Sequence, residues 1–102
     1  MIRVYRLHGG TARPDGLSWT TIDPRMLDDP RRRLGLPEAN TAEFLTIGEM
    51  TDDTGVLRRL ALPLDGNPGG APELLIPSPA TQVVVIEIRK MGIEGDADAN
   101  GR

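Results

Sequence analysis

Cysteine is absent from the chain, which excludes disulfides and thiolate metal sites and leaves cysteine usage silent about compartment. Histidine occurs once, at His8, so a metal centre built on several imidazoles is excluded and no metal is expected. Aromatic residues are scarce as well. Tyr5, Trp19 and Phe44 are the whole set, so Leu, Ile and Val must build most of the core. There is no basic surplus: the formal charge of −3 removes the usual electrostatic reason to expect a nucleic-acid partner. Long apolar runs are missing too. The opening MIRVYRLHGG lacks the apolar core of a signal peptide or membrane anchor, so no membrane association is expected from it. Neither G-x-G-x-x-G nor Gly-Lys-Ser/Thr occurs, which removes the two familiar glycine-rich phosphate cradles, and no internal repeat is visible.

What is present fits one domain. A chain of 102 residues with 38% apolar content supports a single modest core. Ile2–His8 alternates like a strand, placing Ile2, Val4, Arg6 and His8 on one face and Arg3, Tyr5 and Leu7 on the other. Arg6 therefore sits among apolar neighbours in a segment expected to be central, where an unpaired charge is costly. Either it awaits an anion, or it reaches solvent at an edge or pairs with a carboxylate. Gly9–Gly16 is turn-rich. Leu17–Thr21 reads as a short strand with Ser18 and Thr20 on one face and Trp19 on the other. Paired hydroxyls hold a sugar or an amide, although strand Ser and Thr are also commonplace.

Asp23-Pro24 and Asp29-Pro30 each read as a helix start, with an N-cap carboxylate and Pro at the first helical position. Two short helical turns, or one kinked helix, are expected to stop around Gly35. The run Arg31–Arg33 is expected to be a solvated face. Glu43–Thr51 and Val56–Leu62 read as strands joined in a hairpin by Asp52-Asp53-Thr54-Gly55. Arg58 and Arg59 point to opposite faces of the second. Leu62–Pro77, LPLDGNPGGAPELLIP, packs four Pro and three Gly around Asp65 before Glu73. Pro fixes some backbone angles and Gly permits others, so the loop is shaped, and it presents Glu73 at the mouth of an apolar segment. Glu73–Ile76 is a short strand, and Pro77-Ser78-Pro79 turns the chain. Gln82–Arg89, β-branched at nearly every position, suits the middle of a sheet. From Gly92 onward large hydrophobes cease after Ile93, so residues 92–102 are expected to form a disordered tail behind a domain of residues 1–91. The architecture expected is β-rich α+β, with a short helical insertion between the second and third strands.

Three features thus occur in order: Arg6 in VYRLHGG, Ser18 in LSWTT and Glu73 in GGAPELLIP. That order resembles the Arg–Ser–Glu arrangement of the ADP-ribosyltransferase fold, which implies packed β-sheets around a nucleotide cleft. More closely, VYR-x-x-GG, G-x-SWT-x-x-DP, GLP-x-x-N and ALPLDGNPGG-x-PEL-x-IP-x-P resemble the C-terminal toxin domain of the bacterial polymorphic toxins called TreTu. The resemblance runs from about Val4 to about Arg89.

It implies an NAD-dependent ADP-ribosyltransferase, with NAD as substrate and elongation factor Tu as target. It further implies a bacterial protein, secreted or delivered by a larger carrier protein, that acts in the cytoplasm of a rival bacterium, and a cognate immunity protein. Glu73, Arg6 and Ser18 would be catalytic. Arg6, Ser18, Thr20, Tyr5 and His8 would bind NAD, and the loop with Asp65, Asn67, Gly70 and Ala71 would meet the macromolecular substrate. The chemistry is coherent with these residue types. Loss of nicotinamide leaves an oxocarbenium-like ribose that a carboxylate stabilises. A guanidinium suits a phosphate or ribose. Arginine-modifying members of the fold often carry Gln or Glu two residues before the catalytic Glu, where this chain has Ala71. An NAD glycohydrolase using the same residues, and a non-catalytic β-rich binding module, are the alternatives.

Overall fold

The computed structural model describes residues 1–91. The tail expected over residues 92–102 lies outside the described residues. Six strands and three helical turns follow in order: β1 (Ile2–Gly10), β2 (Ser18–Trp19), a 3-10 turn (Pro24–Met26), α1 (Pro30–Arg33), β3 (Asn40–Met50), β4 (Leu57–Leu60), β5 (Pro72–Leu75), α2 (Pro79–Gln82) and β6 (Val83–Lys90). They form two antiparallel three-stranded sheets, β1-β3-β6 and β2-β5-β4. The fold class is therefore β-rich α+β.

The two sheets meet at one place. Tyr5 and Thr20 exchange both backbone hydrogen bonds, at 2.8 and 2.9 Å, so β2 touches β1 through a single bridge and then diverges from it. The wedge is filled by Val4, Trp19, Met50, Leu74, Ile76 and Val83, all buried. Side chains of this kind contribute about 1.5–3 kcal/mol each on full burial. On the opposite face of the first sheet, Leu7, Leu45 and Ile47 are covered by Leu34 and Leu36, which follow α1.

The helical starts form as the sequence implies. Asp23 accepts from Arg25 N at 3.0 Å and Asp29 from Arg32 N at 3.3 Å, each with Pro at the first helical position. Gly35, at φ +59, ends α1 in the left-handed region; a Cβ there would stand 2.3 Å from Leu62 O, so only glycine fits. Each arginine of the basic run on α1 has a partner: Arg32 and Arg33 pair with Asp29 and Asp28, and Arg31 Nη1 donates to Pro37 O at 3.3 Å.

Three expectations are corrected. The strands β3 and β4 do not form a hairpin but lie in different sheets. Buried Gln82 donates to the carbonyls of Asp52 and Thr54, both at 2.9 Å, which clamps the acidic connection to the start of β6. Secondly, β6 is an edge strand and β3 is the centre of its sheet. Val84, Val85, Ile86 and Ile88 are each about half exposed. β-branched residues favour extended backbone wherever the strand lies, so they mark a strand without marking its place. Thirdly, helical structure is not confined to the insertion before β3, because α2 forms between β5 and β6. Among the described residues no helix is long and apolar enough to cross a membrane.

Candidate active site

The cleft lies where β1 and β2 part. It has a volume of about 360 Å³ and is open to solvent on one side. Arg6, Ser18 and Glu73 all line it, together with Tyr5, Thr20 and Arg59; Leu34, Leu36, Leu64 and Leu75 provide its apolar wall. Of the six residues expected to be catalytic or to bind NAD, five line the cleft and His8 does not. Its Nε2 lies 2.8 Å from Thr46 Oγ1, and its ring stacks on Phe44 at 5.7 Å. His8 is buried and does not line the cleft, although it shares a strand face with Arg6, so it is a core group. Burial, reinforced by the nearby Arg6 charge, pushes its imidazole below the usual value.

Sheet pairing sets the positions of the acid and the hydroxyl. Ser18 pairs with Leu75 and Arg59 with Glu73, so Ser18, Glu73 and Arg59 project from three adjacent strands on one face. Both oxygens of the Glu73 carboxylate are engaged. Ser18 Oγ donates to Oε2, and Arg59 Nε donates to Oε1 at 2.8 Å. Glu73 itself is 9% exposed. A carboxylate so buried needs such partners, and having them it keeps a fixed direction.

Arg6 is held differently. Its Nε donates to Arg13 O at 2.8 Å and its Nη1 to Ser18 O at 2.9 Å, so the guanidinium clips the 13–18 connection to β1. Gly16 makes this packing feasible, since a Cβ there would stand 2.1 Å from Arg6 Nη2. The indole of Trp19 donates to Gly16 O at 2.8 Å and closes the same turn. Burial lowers the Arg6 guanidinium from its ordinary value, and Asp15 acts in the opposite sense. Thr20 is buried, and its hydroxyl accepts from Ile22 N at 3.2 Å. Tyr5 is half buried with its ring against the Leu7–Leu45 cluster, so it serves the core as well as lining the cleft.

The Pro/Gly loop is as shaped as its composition suggests. Leu64 and Asn67 exchange both backbone hydrogen bonds at 2.9 Å around Asp65-Gly66, both with positive φ, which is the tight turn that Asp-Gly favours. Its polar side chains face inward onto the segment after α1: Asp65 Oδ2 accepts from Glu38 N at 2.8 Å, and Asn67 Nδ2 donates to Leu36 O at 2.9 Å. Gly70 N and Ala71 N bond Ala61 O and Arg33 O. None of Asp65, Asn67, Gly70 and Ala71 lines the cleft; Leu64 does. The loop thus braces the cleft wall at Leu36 and Pro37 and leaves Gly66 and Gly70 open to solvent.

Arg59 is the site residue that sequence reasoning missed. Strand alternation separated it from Arg58, but only the β4–β5 register, Arg59 opposite Glu73, brings it to the acid. Among the described residues, no group of three His, Cys, Asp or Glu side chains is arranged to hold a metal ion. No protein-family model, curated protein or solved structure matches the chain.

Proposed function

We propose that this domain is an NAD-dependent mono-ADP-ribosyltransferase of the TreTu-like, ADP-ribosyltransferase-fold type, with elongation factor Tu as the protein it modifies. The observation that carries the reading is the meeting of three groups remote in sequence: Arg6, Ser18 and Glu73 line one cleft, with the serine hydroxyl bonded to the buried carboxylate. A volume of about 360 Å³ lies at the small end of ligand sites and suits a nucleoside-sized group, with the remainder of a dinucleotide over the open side.

In this reading the nicotinamide ribose enters the cleft and Glu73 accepts a hydrogen bond from a ribose hydroxyl. Its charge, held in place by Ser18 and Arg59, then faces the positive ribose that develops as nicotinamide departs. Preorganisation matters because a carboxylate already fixed needs no reorientation at the transition state. Arg6 keeps the 13–18 connection in register and so sets the position of Ser18. The half-buried Tyr5 ring forms part of the wall against which nicotinamide lies. The exposed side of the Asp65–Ala71 loop meets the acceptor protein.

The test is incubation with labelled NAD and purified elongation factor Tu. Label enters the factor with the wild-type domain and not with Glu73→Gln. Label transfer that persists in Glu73→Gln removes the acid from its role, and absence of transfer by the wild type overturns the target.

A second reading, NAD glycohydrolysis, is favoured by one observation. Ala71, two residues before Glu73, is buried and apolar, so its side chain contributes no polar contact to an acceptor. Free ADP-ribose released at a rate unaffected by added acceptor protein would select water as the acceptor.

A further inference from the structure

The cleft carries two guanidiniums against one carboxylate, within a molecule whose overall charge is −3. The site is therefore locally poised for an anionic ligand. The two guanidiniums are not equivalent. Arg6 commits Nε and Nη1 to the carbonyls of Arg13 and Ser18, and its Nη2 is packed against Gly16. Arg59 commits only Nε, to Glu73; among the described residues its Nη1 and Nη2 have no hydrogen-bond partner, and its side chain is 38% exposed. A guanidinium offers five donors in a planar fork that matches phosphate oxygens two at a time, and in Arg59 the outer edge of that fork is open.

Building on the NAD reading, we infer that Arg59, and not Arg6, is the residue that grips the diphosphate of the dinucleotide. Its position explains why one side chain serves both tasks. The Nε fixes the acid that acts on the ribose, and the Nη groups, without a protein partner among the described residues in a side chain 38% exposed, are left for the diphosphate attached to that ribose. Arg6 then contributes to affinity only through the position of Ser18. The arrangement also links binding to catalysis, because the cation that holds the phosphates is in contact with the acid.

The test separates gripping the ligand from merely orienting Glu73. In the Glu73→Gln background, where NAD survives long enough to be titrated, NAD binding is measured by calorimetry with and without Arg59→Gln and Arg59→Lys. Loss of a charged hydrogen bond to phosphate weakens NAD about 10- to 100-fold in Arg59→Gln. Arg59→Lys recovers part of the loss, since charge returns without the fork. Nicotinamide riboside, which lacks phosphate, binds the parent and both variants alike. NAD binding as tight in both Arg59 variants as in the Glu73→Gln parent would overturn the assignment while leaving the NAD reading intact. No NAD binding by the wild-type protein would overturn that reading, and the assignment with it.

Discussion

Glu73 has one protein donor on each carboxylate oxygen, and the two donors do different work. Ser18 holds it with a neutral hydroxyl from β2, whereas Arg59 balances its charge from β4. Removing the carboxylate charge in Glu73→Gln is expected to lower NAD turnover about 10²–10³-fold, the usual effect of losing one transition-state charge stabiliser. Ser18→Ala removes one hydrogen bond to a charged group, a loss of about 1.5–3 kcal/mol, so turnover is expected to fall about 10- to 100-fold. Steady-state rates of nicotinamide release check both, and a Ser18→Ala enzyme as active as wild type would show that Glu73 is oriented without it. Gly16 provides a third residue-scale expectation. The methyl of Gly16→Ala collides with the tip of Arg6, whose clip must open or shift. Overpacking of this kind costs about 1–3 kcal/mol, read as a lower midpoint in urea, and displacement of Ser18 lowers activity in parallel. An unchanged midpoint with unchanged activity would mean that the guanidinium moves freely.

At the scale of elements, the first sheet concentrates its stability on β3. Leu45 and Thr46 are covered on opposite faces, while β6 beside them is largely open. Leu45→Ala is therefore expected to destabilise by about 2–5 kcal/mol, and Ile88→Thr at the exposed edge by less than about 1 kcal/mol. Chemical denaturation of the two variants tests the ranking. Equal losses would mean that β6 carries as much of the core as β3.

For the molecule as a whole, His8 and Asp23 are among the groups that couple folding to pH. His8 is buried against Thr46 and Phe44 with its imidazole held below the usual value, so the unfolded chain binds a proton more readily than the folded one. Its contribution is complete above about pH 6.5, the unfolded value, and is lost as pH falls from there through the folded value. Asp23, lowered chiefly by its hydrogen bond from Arg25, contributes above about pH 4 and loses that contribution as pH falls further. The Tm is accordingly expected to drop between pH 7 and 5, and His8→Gln, which retains a partner for Thr46, to flatten that part of the curve. A His8→Gln profile parallel to wild type would assign the slope elsewhere.

Local chemistry was readable in the letters. Asp-Pro at 23–24 and 29–30 specified two helical starts because cap and fixed φ act within one turn of chain. Asp65-Gly66 specified a tight turn for the same kind of reason. Alternation puts Trp19 in the core and Ser18 and Thr20 on the opposite face, and the residue types and order of Arg6, Ser18 and Glu73 mark three groups that line one cleft. Tertiary structure decided which strands are neighbours. It set β6 at an edge, separated β3 from β4, and turned His8 into the core instead of the cleft. It also bound Arg6 to main-chain carbonyls and brought Arg59 to Glu73. Those outcomes depend on contacts spanning 7 to 55 residues, from Arg6 to Arg13 O and from Ser18 to Glu73, and no periodicity within a single strand encodes the partner it will meet across the sheet.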